Sequence, residues 1–570
     1  MKKLFFKIIT FSVFMSMLTG ITAQSANGAT KKETPNQHYT CIEARGVWHR
    51  PNSSGRETTL DGLCSVLDEM AAAGINMVFL ETFYHGMTVF KTNLVPYYTG
   101  FDKYSYGEYP DYLTAFCAEA EKRGIEVHAW VESFYLGVND STSLVKYFPD
   151  WLLVNESGSI RHTTEGASLG GYIFFDPANK EARAYLLKFY DELLTKVPGI
   201  DGLNLDYIRY PVSDFYGGTD TGYTKSAMTE FAEKYHLSVN NTSQYQDFKA
   251  QIRENSLLDE WTKYRADQVT AFIGEVSDMV NKKHPDSIIS IAVHPDISSA
   301  YSQKKQDFIT WIDRGYIDVV TPMVYYYNAS QISSSLKTML SKFDGVYCYS
   351  GLYTTYHSQS ATELNSHISA SNSAGADGFV LFESVKTFYD PAEDYRGFLT
   401  NKYSGSVPSA LPHWSADRLI RAASDIISDK LTADGADVAT VTAITEEMER
   451  IALIGDRSAE KLDTAIKELT DLKENKLSAM VGESLTQNAE ETLDQLLEHL
   501  ETRRSRLSYK GYAESGEQTD DNETESPGDP TTPDQSDNDD PPKRSFIDII
   551  KAFFESIVNW FRDLFDIEHD

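Results

Sequence analysis

Four acidic residues each stand at the end of a short apolar run. Glu81 closes INMVFLE, Glu132 closes IEVHAWVE, Asp206 follows GLNL and Glu383 follows GFVLF. Two carboxyls are what cleavage of a glycosidic bond requires: one protonated to donate to the leaving oxygen, one ionised to act as nucleophile or base. Asp206 leads, because it interrupts an apolar strand and Arg209 is near enough in sequence to partner it. Glu132 is the expected second carboxyl, with Glu81 and Glu383 behind it. His128, Trp130 and Glu132 fall on one face of an alternating strand. Trp48, Trp130, Tyr325, Tyr326 and Tyr353 offer flat faces to sugar rings, and Arg50, His128, Arg209 and His294 offer polar groups. No Cys or His cluster has the spacing of a zinc site, so neither a metal nor another cofactor is expected.

These residues belong together only if the chain brings strand ends to one place. Eight apolar, β-branched and aromatic runs occur at 44–50, 75–81, 125–132, 202–211, 287–295, 317–327, 345–353 and 378–384. Helical patterns such as LDGLCSVLDEMAAAG and YLTAFCAEAEKRG separate them. Strands alternating with helices imply parallel βαβ units. Eight of them predict an α/β fold, a (β/α)₈ barrel over 40–402, whose active site lies at the C-terminal strand ends. That rule selects the residues above, with His49 beside Trp48. An open doubly wound sheet is the competing reading, but GVWHRPNSSG after the first strand is not a glycine-rich phosphate loop. Gly ahead of a strand in AAAGIN, KRGIE, PGIDG and AGADG reads as the residue that ends a helix.

The rest of the chain divides by composition. Residues 1–29 read as a signal peptide, with Lys2 and Lys3, an apolar stretch and small-residue cleavage options near Ala23 and Ala29. The expected location is therefore secreted or cell envelope. Residues 414–509 have helical periodicity and read as a helical domain of three or four helices. Residues 511–544 are acidic and almost free of apolar residues, and read as a disordered linker. Residues 545–570 read as an amphipathic helix whose apolar stripe runs from Phe546 to Phe565. Its acidic polar face favours a protein groove over a membrane surface as partner. The net charge of −32 argues against a nucleic-acid partner. Cys41, Cys64, Cys117 and Cys348 allow three disulfide pairings, and buried free thiols are the preferred reading.

RGVWHRP, GINMVFLETFYHGMTVF, KRGIEVHAWVE, FDPAN at 175–179, DGLNLDYIRYP and DVVTPMVYYY resemble the glycosyl-hydrolase-like family 10 proteins, in order, over roughly 40–400. These are bacterial envelope proteins related to the enzyme that digests denuded peptidoglycan glycan strands. The resemblance implies a glycosidase-like barrel, an exported location and a polysaccharide substrate. It places Asp206 on the family's strand-four aspartate, followed by Tyr210 and Pro211. Two positions depart from the pattern. Tyr207 stands where many members carry a second acid, and Glu132-Ser133 where many have Asn-Pro. The leading expectation is a glycoside hydrolase acting on an extracellular glycan such as peptidoglycan. The alternatives are a catalytically silent carbohydrate-binding barrel and a polysaccharide lyase or deacetylase.

Overall fold

A computed structural model describes residues 38–509, apart from 53, 99, 139–142, 218, 240–243, 355–359, 390–394, 404–408 and 456–457. The signal peptide, the acidic linker and the C-terminal amphipathic helix expected from the sequence lie outside the described residues.

Eight parallel strands close into a barrel: β1 Ala44–His49, β2 Met77–Tyr84, β3 Glu126–Val131, β4 Ile200–Leu205, β5 Ile288–Val293, β6 Val319–Pro322, β7 Tyr347–Tyr353 and β8 Gly378–Phe382. Each pairs with the next in sequence order, and β8 pairs with β1 through Gly46↔Val380 to complete the ring. The expected (β/α)₈ architecture is therefore the one observed. The helices form for local reasons. Leu60–Ala72 opens on Thr59, whose hydroxyl accepts from the Gly62 N–H, and buries Leu63, Val66, Leu67 and Met70 at helical spacing. Ala361–Ala374 opens on a reciprocal Ser360–Glu363 capping box and ends at Gly375, whose φ of 98° suits glycine. Among the described residues no helix is long and apolar enough to cross a membrane.

One device recurs at the N-terminal rim of the barrel. A polar residue at the start of one strand accepts the backbone N–H of the strand before it. Asn76 takes Arg45, Asp201 takes Val127, Asp318 takes Ile289 and Asp377 takes Cys348, at 2.8, 2.8, 2.9 and 2.8 Å. The clasp joins β1 to β2, β3 to β4, β5 to β6 and β7 to β8.

The barrel interior holds Trp48, Met77, Phe79, Trp130, Tyr347, Tyr349 and Val380. This cluster runs on without a break into Leu411 and Trp414, and then into Leu419, Ile427, Leu493, Leu496 and Leu500 of the C-terminal helices. Those helices include Ala416–Ala433, Val438–Ala452, Ala459–Asp471 and Glu483–Tyr509. They seal the N-terminal end. Arg506 donates to Asp318 Oδ1 at 3.1 Å and to the Gly315 carbonyl at 3.0 Å, and Tyr347 donates to the His499 carbonyl at 3.1 Å. The four cysteines are free thiols. Cys117 and Cys348 are buried, and Cys41 and Cys64 are partly exposed.

Candidate active site

The C-terminal strand ends carry Glu81 on β2 and Glu132, Asp206 and Glu383 just beyond β3, β4 and β8. Burial divides them. Asp206 and Glu383 are partly exposed in the cleft, whereas Glu132 and Glu81 keep only 2% and 3% of their surface.

The backbone near these residues departs from regular strand. The β2–β3 register shifts between Glu81 and Phe83, a bulge that re-aims the end of β2. His85 has φ of 49°, which turns its N–H onto Glu132 Oε2 at 2.9 Å. Tyr207 has φ of 47°, and its N–H meets Asp206 Oδ1 at 2.7 Å. The other oxygen of Asp206 accepts from the Trp130 ring N–H at 3.1 Å. Left-handed backbone at a tyrosine costs roughly 1 kcal/mol or more and persists where surrounding contacts hold it. Here Tyr207 is stacked on Tyr135 at 4.5 Å and covered by Arg209 at 4.7 Å.

Burial and mutual repulsion raise the carboxyl pKa values. Burial pushes Glu81 up to about 8; Arg50 opposes this, while Asp206 and Glu383 add to it. Burial, then Glu81, raises Glu132 well above the usual carboxylate range against the pull of Arg50. Asp206 is raised by burial against two donated hydrogen bonds that favour its anion. Arg50 Nη2 stands 3.5 Å from Glu81 Oε1, and its guanidinium lies over Tyr84 and Trp130 at 5.1 and 5.3 Å. One cation beside two interacting carboxyls neutralises one charge, so Glu81 and Glu132 together retain a proton at neutral pH. Burial and Arg50 hold the His85 ring neutral, with its pKa lowered to about 4. Glu81 and Arg50 open into a cavity of about 290 Å³, walled by Tyr84, Tyr98, Phe101 and Tyr104. That volume lies at the lower end of small-molecule sites, roughly 300–1,000 Å³.

Several expected sugar-contacting residues are placed elsewhere. Trp48 is 1% exposed; its ring packs on Phe79 and Phe382 and donates to Asn204 Oδ1 at 3.0 Å. It points inward one residue below the strand end, and so fills a barrel layer. Trp130 is buried to the same extent and serves as a donor to Asp206, not as a platform. His128, two residues further down the same face, is fully buried near the base. Tyr353 is 3% exposed, stacked on Phe382 at 5.9 Å. His49 points outward, between Ser384 Oγ at 2.8 Å and Glu57 Oε1 at 3.0 Å. Arg209 was expected to partner Asp206. Its charge does act on Asp206, favouring the anion, while its hydrogen bond goes to Glu165 Oε2 at 2.9 Å. Arg50, His294, Tyr325 and Tyr326 remain partly exposed at the mouth.

Sequence reasoning missed Tyr84, His85, Tyr98, Tyr104 and Glu165. Tyr84 and His85 directly follow the Glu81 run and were within reach of a strand-end argument. Tyr98, Tyr104 and Glu165 come from long loops, where no periodicity marks what faces the cleft.

The family model of glycosyl hydrolase-like 10 matches residues 43–356, which span β1 to β7 with Glu81, Glu132 and Asp206. The chain belongs to this family. It is 23% identical over 266 residues to the glycosyl hydrolase DigH of Escherichia coli strain K12, across 46% of this chain and 56% of that protein. It is 22% identical over 289 residues to the glycosyl hydrolase YngK of Bacillus subtilis strain 168, across 46% and 48% respectively. The chain thus spans about half the length of the curated relatives it matches. Similar solved structures include the catalytic domain of β-amylase from Paenibacillus polymyxa, with TM-score 0.43, 11% identity and coverage of 65% of this chain and 100% of that one. The endo-β-1,4-mannanase from Thermotoga petrophila has TM-score 0.38, 11% identity and coverage of 65% and 78%.

Proposed function

We propose that this family member is an exported glycoside hydrolase that cleaves β-linked glycan strands of the peptidoglycan type. The observation that carries the reading is the meeting of Asp206, whose two oxygens each accept a hydrogen bond that favours the anion, with a Glu81–Glu132 pair that retains a proton. The pair donates its proton to the glycosidic oxygen as the bond to the anomeric carbon breaks. Asp206 meets the developing positive charge on that carbon, either bonding to it or taking a proton from the attacking water. Arg50 then balances the carboxylate left by donation. The tyrosines around the cavity supply flat faces with polar edges, which suit sugar rings. The implied relation to enzymes of denuded peptidoglycan supports the substrate class, and the signal-like residues 1–29 support export.

The test is incubation of the purified chain with denuded glycan strands, followed by mass spectrometry. Shortened oligosaccharides that Asp206→Asn no longer produces support hydrolysis. Retention of the strands on the protein without cleavage would instead establish a binding barrel.

A further inference from the structure

At the opposite end of the barrel from Asp206, three side chains converge that sequence spacing does not connect. Glu126 and His128 lie on the inner face of β3, and His413 sits in the turn before the helix Ala416–Ala433. Glu126 and His413 are 287 residues apart, yet Glu126 Oε2 and His413 Nε2 are 2.9 Å apart. His128 Nε2 lies 3.6 Å from the same oxygen, too long for a hydrogen bond. One donor atom from each of the three falls within 4.8 Å of the others, and all three residues are buried.

His128 is the informative member. It is 0% exposed, and neither ring nitrogen has a hydrogen-bond partner. A neutral imidazole carries one donor and one acceptor, and leaving both unmet in a sealed interior is costly. The neighbours are themselves held by second contacts. Tyr349 Oη contacts His413 Nδ1 at 2.6 Å, fixing that ring and turning Nε2 toward the centre. Trp414 donates to Glu126 Oε1 at 2.7 Å, and Arg418 stands 3.7 Å from the same oxygen. Oε2 is thereby left to face the imidazoles. A second contact that orients each ligand is the usual support of a bound metal.

The geometry points to a divalent-metal site at the barrel base, held by Glu126 Oε2, a ring nitrogen of His128 and His413 Nε2. Two imidazoles and one carboxylate form a borderline donor set that suits Zn²⁺, with a water in the fourth position. Ligands around tetrahedral zinc sit at about 2.0–2.2 Å from the ion, so their mutual spacing is roughly 3.3 Å. The observed contacts reach that with small side-chain shifts. An ion there ties β3 to the turn that opens the C-terminal helices, and four residues of strand, roughly 13 Å, separate its ligand His128 from Glu132 at the cleft.

The test uses the full chain, stripped of metal and titrated with Zn²⁺ alone by calorimetry, with Co²⁺ as a spectroscopic substitute. One equivalent should bind and raise Tm, and Co²⁺ should give visible bands of tetrahedral type. His128→Asn and His413→Asn should each weaken Zn²⁺ binding about 100-fold or more. His236→Asn, at an exposed histidine, should change nothing. His38, with Asp425 and Asp429, is a possible surface competitor. Binding that survives in His128→Asn/His413→Asn but disappears in His38→Asn would overturn the proposal. So would a folded wild-type chain that takes up no stoichiometric metal. If the ligand variants lose their circular-dichroism signature, X-ray absorption at the zinc edge of the wild-type chain decides. Two imidazoles in the coordination shell support the site, and fewer refute it.

Discussion

The two ends of this barrel treat their carboxylates in opposite ways. At the N-terminal rim, Asp201, Asp318 and Asp377 each accept a backbone N–H from the preceding strand, and Arg506 pairs with Asp318. Even Asp377, pushed by burial to about 7, is spent on holding two strands together. At the C-terminal mouth, Glu81 and Glu132 crowd one another beside a single Arg50, and the chain around them is bent through φ values that tyrosine and histidine rarely adopt. One end uses charge to fasten backbone; the other keeps charge poorly neutralised where a substrate would lie. Stability and chemistry are thus separated along the strand axis, as expected when active sites carry strain that the scaffold must offset.

The sharpest break in this contrast comes from Asp206→Asn. Turnover of a competent glycan should fall by about 10³-fold or more, with Tm unchanged or slightly higher. Full activity in this variant would remove Asp206 from the chemistry. Glu81→Gln and Glu132→Gln come next, each lowering kcat/KM by about 10²–10⁴-fold, the usual worth of a positioned acid. For the wild type, the rate should decline on the alkaline side as the pair loses its proton near the raised Glu81 value of about 8. A profile flat through that region would argue against the pair as donor.

At the base, Arg506→Ala should cost about 3 kcal/mol of stability, because it leaves Asp318 buried beside a missing cation. Chemical denaturation measures the loss, and activity at a permissive temperature should persist. A large activity loss with intact stability would invert the assignment of roles. A further expectation is a stability gain of Glu81→Gln over the wild type that grows with pH, on the order of 4 kcal/mol by pH 8. The folded-state pKa of Glu81 is raised from 4.5 to about 8, so its contribution is fully present below pH 4.5 and is lost as pH rises through 8. The variant and wild type should therefore melt alike at pH 4 and diverge by pH 8. A constant difference across that range would show that burial of Glu81 carries no charge penalty.

The barrel was legible because its signals are periodic. Apolar runs, intervening helical faces and helix-ending glycines all repeat, and the strand-end rule then carried Glu81, Glu132, Asp206 and Glu383 to one mouth. Depth along the strand was harder to read. Trp48 and Trp130 sit one or two residues below the rim, where alternation turns them inward, so two aromatics expected to face sugar fill the barrel instead. Arg209 was legible as a charge near Asp206, but its hydrogen bond to Glu165, 44 residues away, had no sequence signal. The Glu126–His128–His413 cluster had no sequence signal, since His413 reaches the barrel only after the chain has closed the ring and turned beneath it.

The clasps at the N-terminal rim divide the barrel into four strand pairs. Such pairing gives the closed ring seams. New termini opened between β2 and β3, or between β6 and β7, would leave every clasped pair on one continuous segment. A break between β3 and β4 would put Asp201 and the Val127 N–H at opposite ends of the rearranged chain. Circular permutants of the first kind should fold readily, and those of the second kind should fold more slowly, since their clasp must then close the longest loop the chain can make.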